Sequence, residues 1–100
     1  MVMIMRTAAI ASGKTGEAIA FANQMAKFFK EKYGVTLELL MPFGGNPNRL
    51  AWRSSYESLA QWEALAAKVL TDPEYMGAVA SNAATFMPGS VHDEIWRTIS

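Results

Sequence analysis

Apolar side chains recur with two different periods along this 100-residue chain, and the order of those periods leaves few folds open. Residues 2–11 are apolar on both faces apart from Arg6 and Thr7, the pattern of a central strand covered on both sides. From Thr15 to Tyr33 the step lengthens to three and four. Ile19, Ala22, Ala26, Phe29 and Tyr33 form a stripe that Phe21, Met25 and Phe28 widen. Glu17 near its start and Lys27, Lys30 and Lys32 near its end suit the helix dipole, and Gly34 is placed to close the helix. Alternation returns at 35–43, with Val35, Leu37, Leu39, Met41 and Phe43 on one face, and Pro42 marks an edge strand or a strand end. Gly44-Gly45-Asn46-Pro47-Asn48 has the chemistry of a turn, so Arg49 to Tyr56 is the returning strand of a hairpin. Ser58-Leu59-Ala60-Gln61 has the spacing of a capping box. It opens a second helical stripe of Leu59, Trp62, Leu65, Ala66, Val69 and Leu70. Asp72-Pro73 interrupts that helix, because proline cannot continue it and restricts its predecessor. A further helical piece runs from Pro73 or Glu74 to Ala84, Met87-Pro88-Gly89 stops it, and residues 91–99 alternate as a last strand.

The order is strand, helix, strand, strand, helix, strand, which predicts an α+β, ferredoxin-like βαββαβ fold in one domain spanning residues 1–100. Right-handed crossovers put the helices on one face of a four-stranded antiparallel sheet and leave the other face bare. Composition sharpens the consequence. Half of the residues are hydrophobic (51%), while a domain of this length buries only about 65% of its extended-chain surface. A monomer would expose a large apolar patch, so a homodimer is expected, two sheets facing each other as an eight-stranded barrel.

Several function classes are set aside by the same residues. Nine basic and nine acidic side chains give no net charge, which argues against nucleic-acid binding. No cysteine is present, so thiolate chemistry, disulfides and Cys-ligated zinc are out. The apolar runs fall short of the roughly 18 residues that span a bilayer, so no membrane association and a cytoplasmic setting are expected. Ser12-Gly13-Lys14-Thr15 has the end of a phosphate-binding loop, but Ala8 stands where its first glycine belongs, and a tight turn before a helix is the reading.

Two groups of candidate site residues remain. Trp52, Arg53 and Tyr56 lie on the third strand, where an arginine must be paired or must meet a ligand anion; Glu38 on the hairpin partner is its candidate mate. Alternation separates Arg53 from Trp52 and Tyr56, so one pocket takes either Trp52 with Tyr56 or Arg53 alone. Arg6 raises the same question, and parity alone does not say whether it shares a face with Arg53. His92, the single histidine, has Glu94 beside it on one strand face. It is a candidate ligand contact, although surface or interface placement is the commoner role for a lone strand histidine. With one histidine and no cysteine, no metal site and no cofactor are expected.

The chain resembles the dimeric α/β-barrel superfamily, and within it NIPSNAP-type and antibiotic-biosynthesis-monooxygenase-type domains. The resemblance spans nearly the whole chain. It rests on the Ser12-Gly13-Lys14 exit from the first strand, on the passage Trp52-Arg53-Ser54-Ser55-Tyr56-Glu57-Ser58 with Trp62 beyond it, and on the break Leu70-Thr71-Asp72-Pro73-Glu74-Tyr75. That superfamily contains cofactor-free oxygenases, haem-degrading enzymes, isomerases and domains without assigned activity. Its haem-degrading branch uses a helix histidine, which no predicted helix here contains. Its oxygenase branch uses Asn, Trp and Tyr in a cleft between sheet and helices, which directs attention to Asn23, Trp62 and Tyr75, although a helix Trp on an apolar stripe is usually core. The resemblance thus implies a small apolar or aromatic ligand held between sheet and helices, oxidised without a cofactor in one branch. The alternative is a dimeric interaction domain with no catalytic activity. No residue stands out as acid, base or nucleophile.

Overall fold

The computed structural model describes residues 1–99. Its elements are β1 (Val2–Ala9), α1 (Thr15–Tyr33), β2 (Glu38–Leu40), β3 (Arg49–Tyr56), α2 (Leu59–Val69), α3 (Pro73–Ser81), a short 3-10 turn (Ala83–Thr85) and β4 (His92–Arg97). The strands form one antiparallel sheet in the order β2-β3-β1-β4, with the helices over one face. This is the ferredoxin-like arrangement that the order of periods predicts.

Four boundaries differ from the sequence reading: the further helix, expected to reach Ala84, ends at Ser81 and gives way to the 3-10 turn, and three strands differ as follows. The second strand, expected over 35–43, is three residues long. At its start the Val35 N–H closes α1 by bonding Phe29 O at 3.1 Å, and Thr36 accepts a bond from Lys30 Nζ at 3.1 Å. At its end Pro42 has no N–H for the ladder, and Phe43 stands fully in solvent. The first strand leaves its ladder at Ala9 rather than continuing to Ala11. Ile10 N–H bonds Asn48 O at 2.8 Å and Ala11 N–H bonds Thr85 O at 2.9 Å, so the extended chain changes partners. The last strand is His92–Arg97 rather than 91–99.

The helix ends follow their capping chemistry. Gly34 takes φ +68°, and its N–H bonds Lys30 O. Ser58 Oγ accepts the Gln61 N–H at 3.2 Å, while the Gln61 side chain accepts from Glu57 N at 2.8 Å, one residue short of a reciprocal box. Asp72 caps α3 through bonds from the Glu74 and Tyr75 N–H groups, with Pro73 at the first helical position.

Register assigns the two sheet faces. Val2, Ile4, Arg6 and Ala8 pair with Tyr56, Ser54, Trp52 and Leu50 on the face under the helices. Met3, Met5 and Thr7 pair with Ser55, Arg53 and Ala51 on the open face. The packed core is small: Ile10, Ala18, Ala22 and Leu50, flanked by Leu39, Trp52 and Phe86. Two alanines on α1 let helix and sheet approach closely there. The buried stripe of α1 is Ala18, Phe21, Ala22, Met25 and Phe28, so Ile19, expected inside, lies 41% exposed. Among the described residues no helix is long and apolar enough to cross a membrane.

Candidate functional site

Away from that small core the helices and the sheet do not close on each other. A cleft of about 560 Å³ lies between them. Its floor is the covered sheet face, with Ile4, Arg6, Ala8, Trp52, Ser54 and Tyr56. Its walls are Phe21, Met25 and Phe29 of α1 and Trp62, Leu65, Ala66 and Val69 of α2. Tyr75 and Val79 of α3 and the segment from Met87 to Val91 shape the side towards β4.

Two aromatic groups border this space. Trp52 packs edge-to-face with Phe21 (6.3 Å, 85°) and tilted against Phe86 (5.9 Å). Phe29 meets Tyr75 at 5.9 Å and 78°, beside Phe28. Such edge contacts fix ring orientation and make rigid apolar walls.

Polar groups gather on one cross-strand row. Arg6 is paired with Trp52 on β3 and with Asp93 on β4. Its guanidinium forks onto Asp93, Nε to Oδ1 at 2.7 Å and Nη2 to Oδ2 at 2.8 Å. The bond to Asp93 holds Arg6 above its ordinary value, against its partial burial, with a smaller contribution from the neighbouring Tyr75 phenol. Arg6 in turn draws Asp93 below the usual carboxylate range. Trp52 Nε1 is the one buried side-chain polar atom among the described residues with no hydrogen-bond partner. An unsatisfied buried donor costs about 1–3 kcal/mol, and this one is closed off from the cleft by the packing of Phe21 and Phe86 around the ring. Burial holds the Tyr56 phenol above its ordinary value.

Of the sequence-stated candidates, the structure brings Trp52, Tyr56 and Trp62 together around the cleft. It places Arg53 and His92 on the open face of the sheet. Arg53 pairs with Glu38 and borders a second, more open hollow of about 640 Å³ with Gln61 and Thr36. His92 Nε2 lies 3.7 Å from Glu94 Oε2, and Glu94 also accepts from Trp96 Nε1 at 3.1 Å. Arg6 and Arg53 therefore point to opposite faces, which answers the parity question. Asn23 stands on the exposed side of α1, bonded to Ile19 O, away from the cleft. Tyr75 lines it. The Arg6–Asp93 pair was not legible, although a lone arginine in an apolar strand was a signal. Its partner depends on the β1–β4 register, which periodicity leaves open. Among the described residues no three His, Asp or Glu side chains are grouped to hold a metal ion.

No protein-family model matches the sequence, and neither does any curated protein. Solved structures do match along the whole chain. An uncharacterised NIPSNAP domain protein from Burkholderia xenovorans superposes with a TM-score of 0.84 at 16% identity, over 100% of this chain and 96% of that one. The chain has the fold of a NIPSNAP domain. A NIPSNAP family protein of unknown function from Agrobacterium tumefaciens gives a TM-score of 0.81 at 14% identity, over 96% of this chain and 86% of that one. A candidate antibiotic biosynthesis monooxygenase from Deinococcus radiodurans gives 0.74 at 10% identity, over 100% and 94%. Likeness at these identities concerns the path of the chain. What the cleft does must be argued from its own side chains.

Proposed function

We propose that this chain is a small-molecule-binding domain that holds a small apolar or aromatic compound in the cleft between sheet and helices and works as a homodimer. The observation that carries the reading is the cleft itself. A space of about 560 Å³ is walled mainly by aromatic and aliphatic side chains with a few polar groups on one row, as small-molecule sites are. The test uses Nile red, an uncharged apolar dye. Its fluorescence should rise saturably at one dye per chain, and Ala66→Trp, which fills the cleft from α2, should abolish the rise. A wild-type protein that leaves the dye dark at millimolar protein would sink the reading.

The dimer rests on the open sheet face. Met3, Met5, Ala51, Leu40 and Trp96 bring apolar surface to it, with the Arg53–Glu38 pair among them. Trp96 is 57% exposed in the single chain. Exposed apolar area of this kind is commonly covered by a partner. A cytoplasmic setting belongs to the same proposal and is checked by cell fractionation.

Likeness to the Deinococcus radiodurans protein makes cofactor-free oxidation of the bound compound the chemistry to test, by oxygen uptake with phenolic aromatics. A second reading is favoured by one observation. Among the described residues the one carboxylate lining the cleft, Asp93, is engaged by Arg6, and the histidine is on the other face. A domain that binds or assembles without catalysing anything fits that arrangement, and a lack of oxygen uptake by dye-binding protein would support it.

A further inference from the structure

The cleft has donors to spare and no net charge. Among the described residues Arg6 and Asp93 are the two ionised side chains on its wall, and they neutralise each other. Their forked pairing uses two of the five guanidinium N–H groups and leaves three. Trp52, on the same cross-strand row, has an indole N–H without an acceptor, buried so that a ligand meets it only where the surrounding side chains give way. Tyr75, beside Arg6, adds a phenol. A ligand head placed beside the pair meets the guanidinium N–H groups that Asp93 does not use.

Among acceptor heads, carboxylates and uncharged carbonyls differ in charge, and Asp93 discriminates between them. A carboxylate would have to shed its water next to an existing carboxylate, with no unpaired cation to receive it. An uncharged amide, ester or lactone carbonyl takes the spare N–H groups without that repulsion. Resting on the reading of the cleft as a ligand site, we infer that it selects uncharged amide, ester or lactone ligands, and that Asp93 is the specificity residue that turns carboxylates away.

The test compares three probes with one aromatic body: 2-naphthamide, methyl 2-naphthoate and 2-naphthoate. They are titrated into 15N-labelled protein while the indole N–H resonances are followed. Trp52 and Trp62 line the cleft, and Trp96 on the open face is the internal control. Shifts confined to Trp52 and Trp62 locate the binding. The amide and the ester are expected to bind about fivefold more tightly than the carboxylate, the discrimination of one partly solvated charge pair. Asp93→Asn leaves Arg6 unneutralised and should reverse the order, tightening 2-naphthoate while changing 2-naphthamide little. Asp93→Ser repeats the comparison without an amide side chain, and the wild-type ratio decides the point should neither variant fold. Equal or tighter binding of 2-naphthoate to the wild type overturns the inference while leaving the cleft a ligand site, and so does an unchanged ratio in folded Asp93→Asn. If none of the three probes moves Trp52 or Trp62, both the inference and the reading beneath it fail.

Discussion

The phenol of Tyr33, at the last turn of α1, donates a 2.6 Å hydrogen bond to the carboxylate of Asp72, the N-cap of α3. Lys32 Nζ reaches the same oxygen at 2.7 Å, and the Asp72 side chain is almost wholly buried. One carboxylate therefore ties the end of the first helix to the break between the second and third. Lys32 and Tyr33 together draw Asp72 down to about 2 from its ordinary 3.8. Because the folded value is the lower one, its contribution to stability is complete above the ordinary value and drains as pH falls through 3.8 towards about 2. Lys32 is raised by the same bond, so its share persists through neutral pH and is lost only in strong base. Asp72→Asn should lower the melting midpoint by about 5 °C or more at pH 7. The gap between variant and wild type should close as pH is taken down to 2. A gap independent of pH would refute this account.

Gly34 closes α1 with φ +68°, and a Cβ built there would meet nothing within 4 Å. The cost of Gly34→Ala is then purely conformational, about 1 kcal/mol. Gly34→Asn should cost less, since asparagine tolerates the left-handed region. Urea unfolding of the three proteins decides it, and equal losses for both variants would contradict the argument.

Phe86 packs on Phe21 at 5.6 Å and on Trp52 at 5.9 Å, at the junction between the small core and the cleft. Phe86→Ala should destabilise by about 3 kcal/mol, through lost burial and the cavity left behind. It should also loosen the Trp52 ring and redshift its emission. A loss below about 1 kcal/mol would show that the cleft wall collapses without cost.

Met5 lies on the open face between Arg53 and Glu94 on its neighbouring strands. Met5→Lys would set a second cation beside Arg53 in the middle of the proposed dimer interface. Sedimentation at micromolar concentration should show a dimer for wild type and a monomer with unchanged secondary structure for the variant. A stable interface of this obligate kind should bury more than about 2,000 Å² in total. A wild-type monomer would remove the dimer from the proposal.

The fold was legible because its signals are local. The ends of α1 and the span of β3 follow from Gly34 at one helix end and from alternation between two turn segments. Misreadings arose where a local pattern competed with a longer-range partner. Val35 alternates like a strand residue, yet its N–H is taken by the helix it follows. Ile19 has helical spacing but sits at the edge of the buried stripe, because the stripe is centred on Ala18 and Ala22.

By itself the sequence determined the element order and the separation of Trp52 and Tyr56 from Arg53, consequences of periods of 2 and 3.6 residues, together with the Gly34 close of α1 and the Ser58 cap of α2. Only the tertiary structure decided which face each set occupies and which residues meet. Arg6 stands 87 residues from Asp93, and nothing in either segment specifies the strand register that makes them partners. The cleft is likewise a property of packing. Its existence depends on two alanines drawing α1 onto one end of the sheet while Phe21, Met25 and Phe29 hold the remaining space open, a balance of volumes that no single segment encodes.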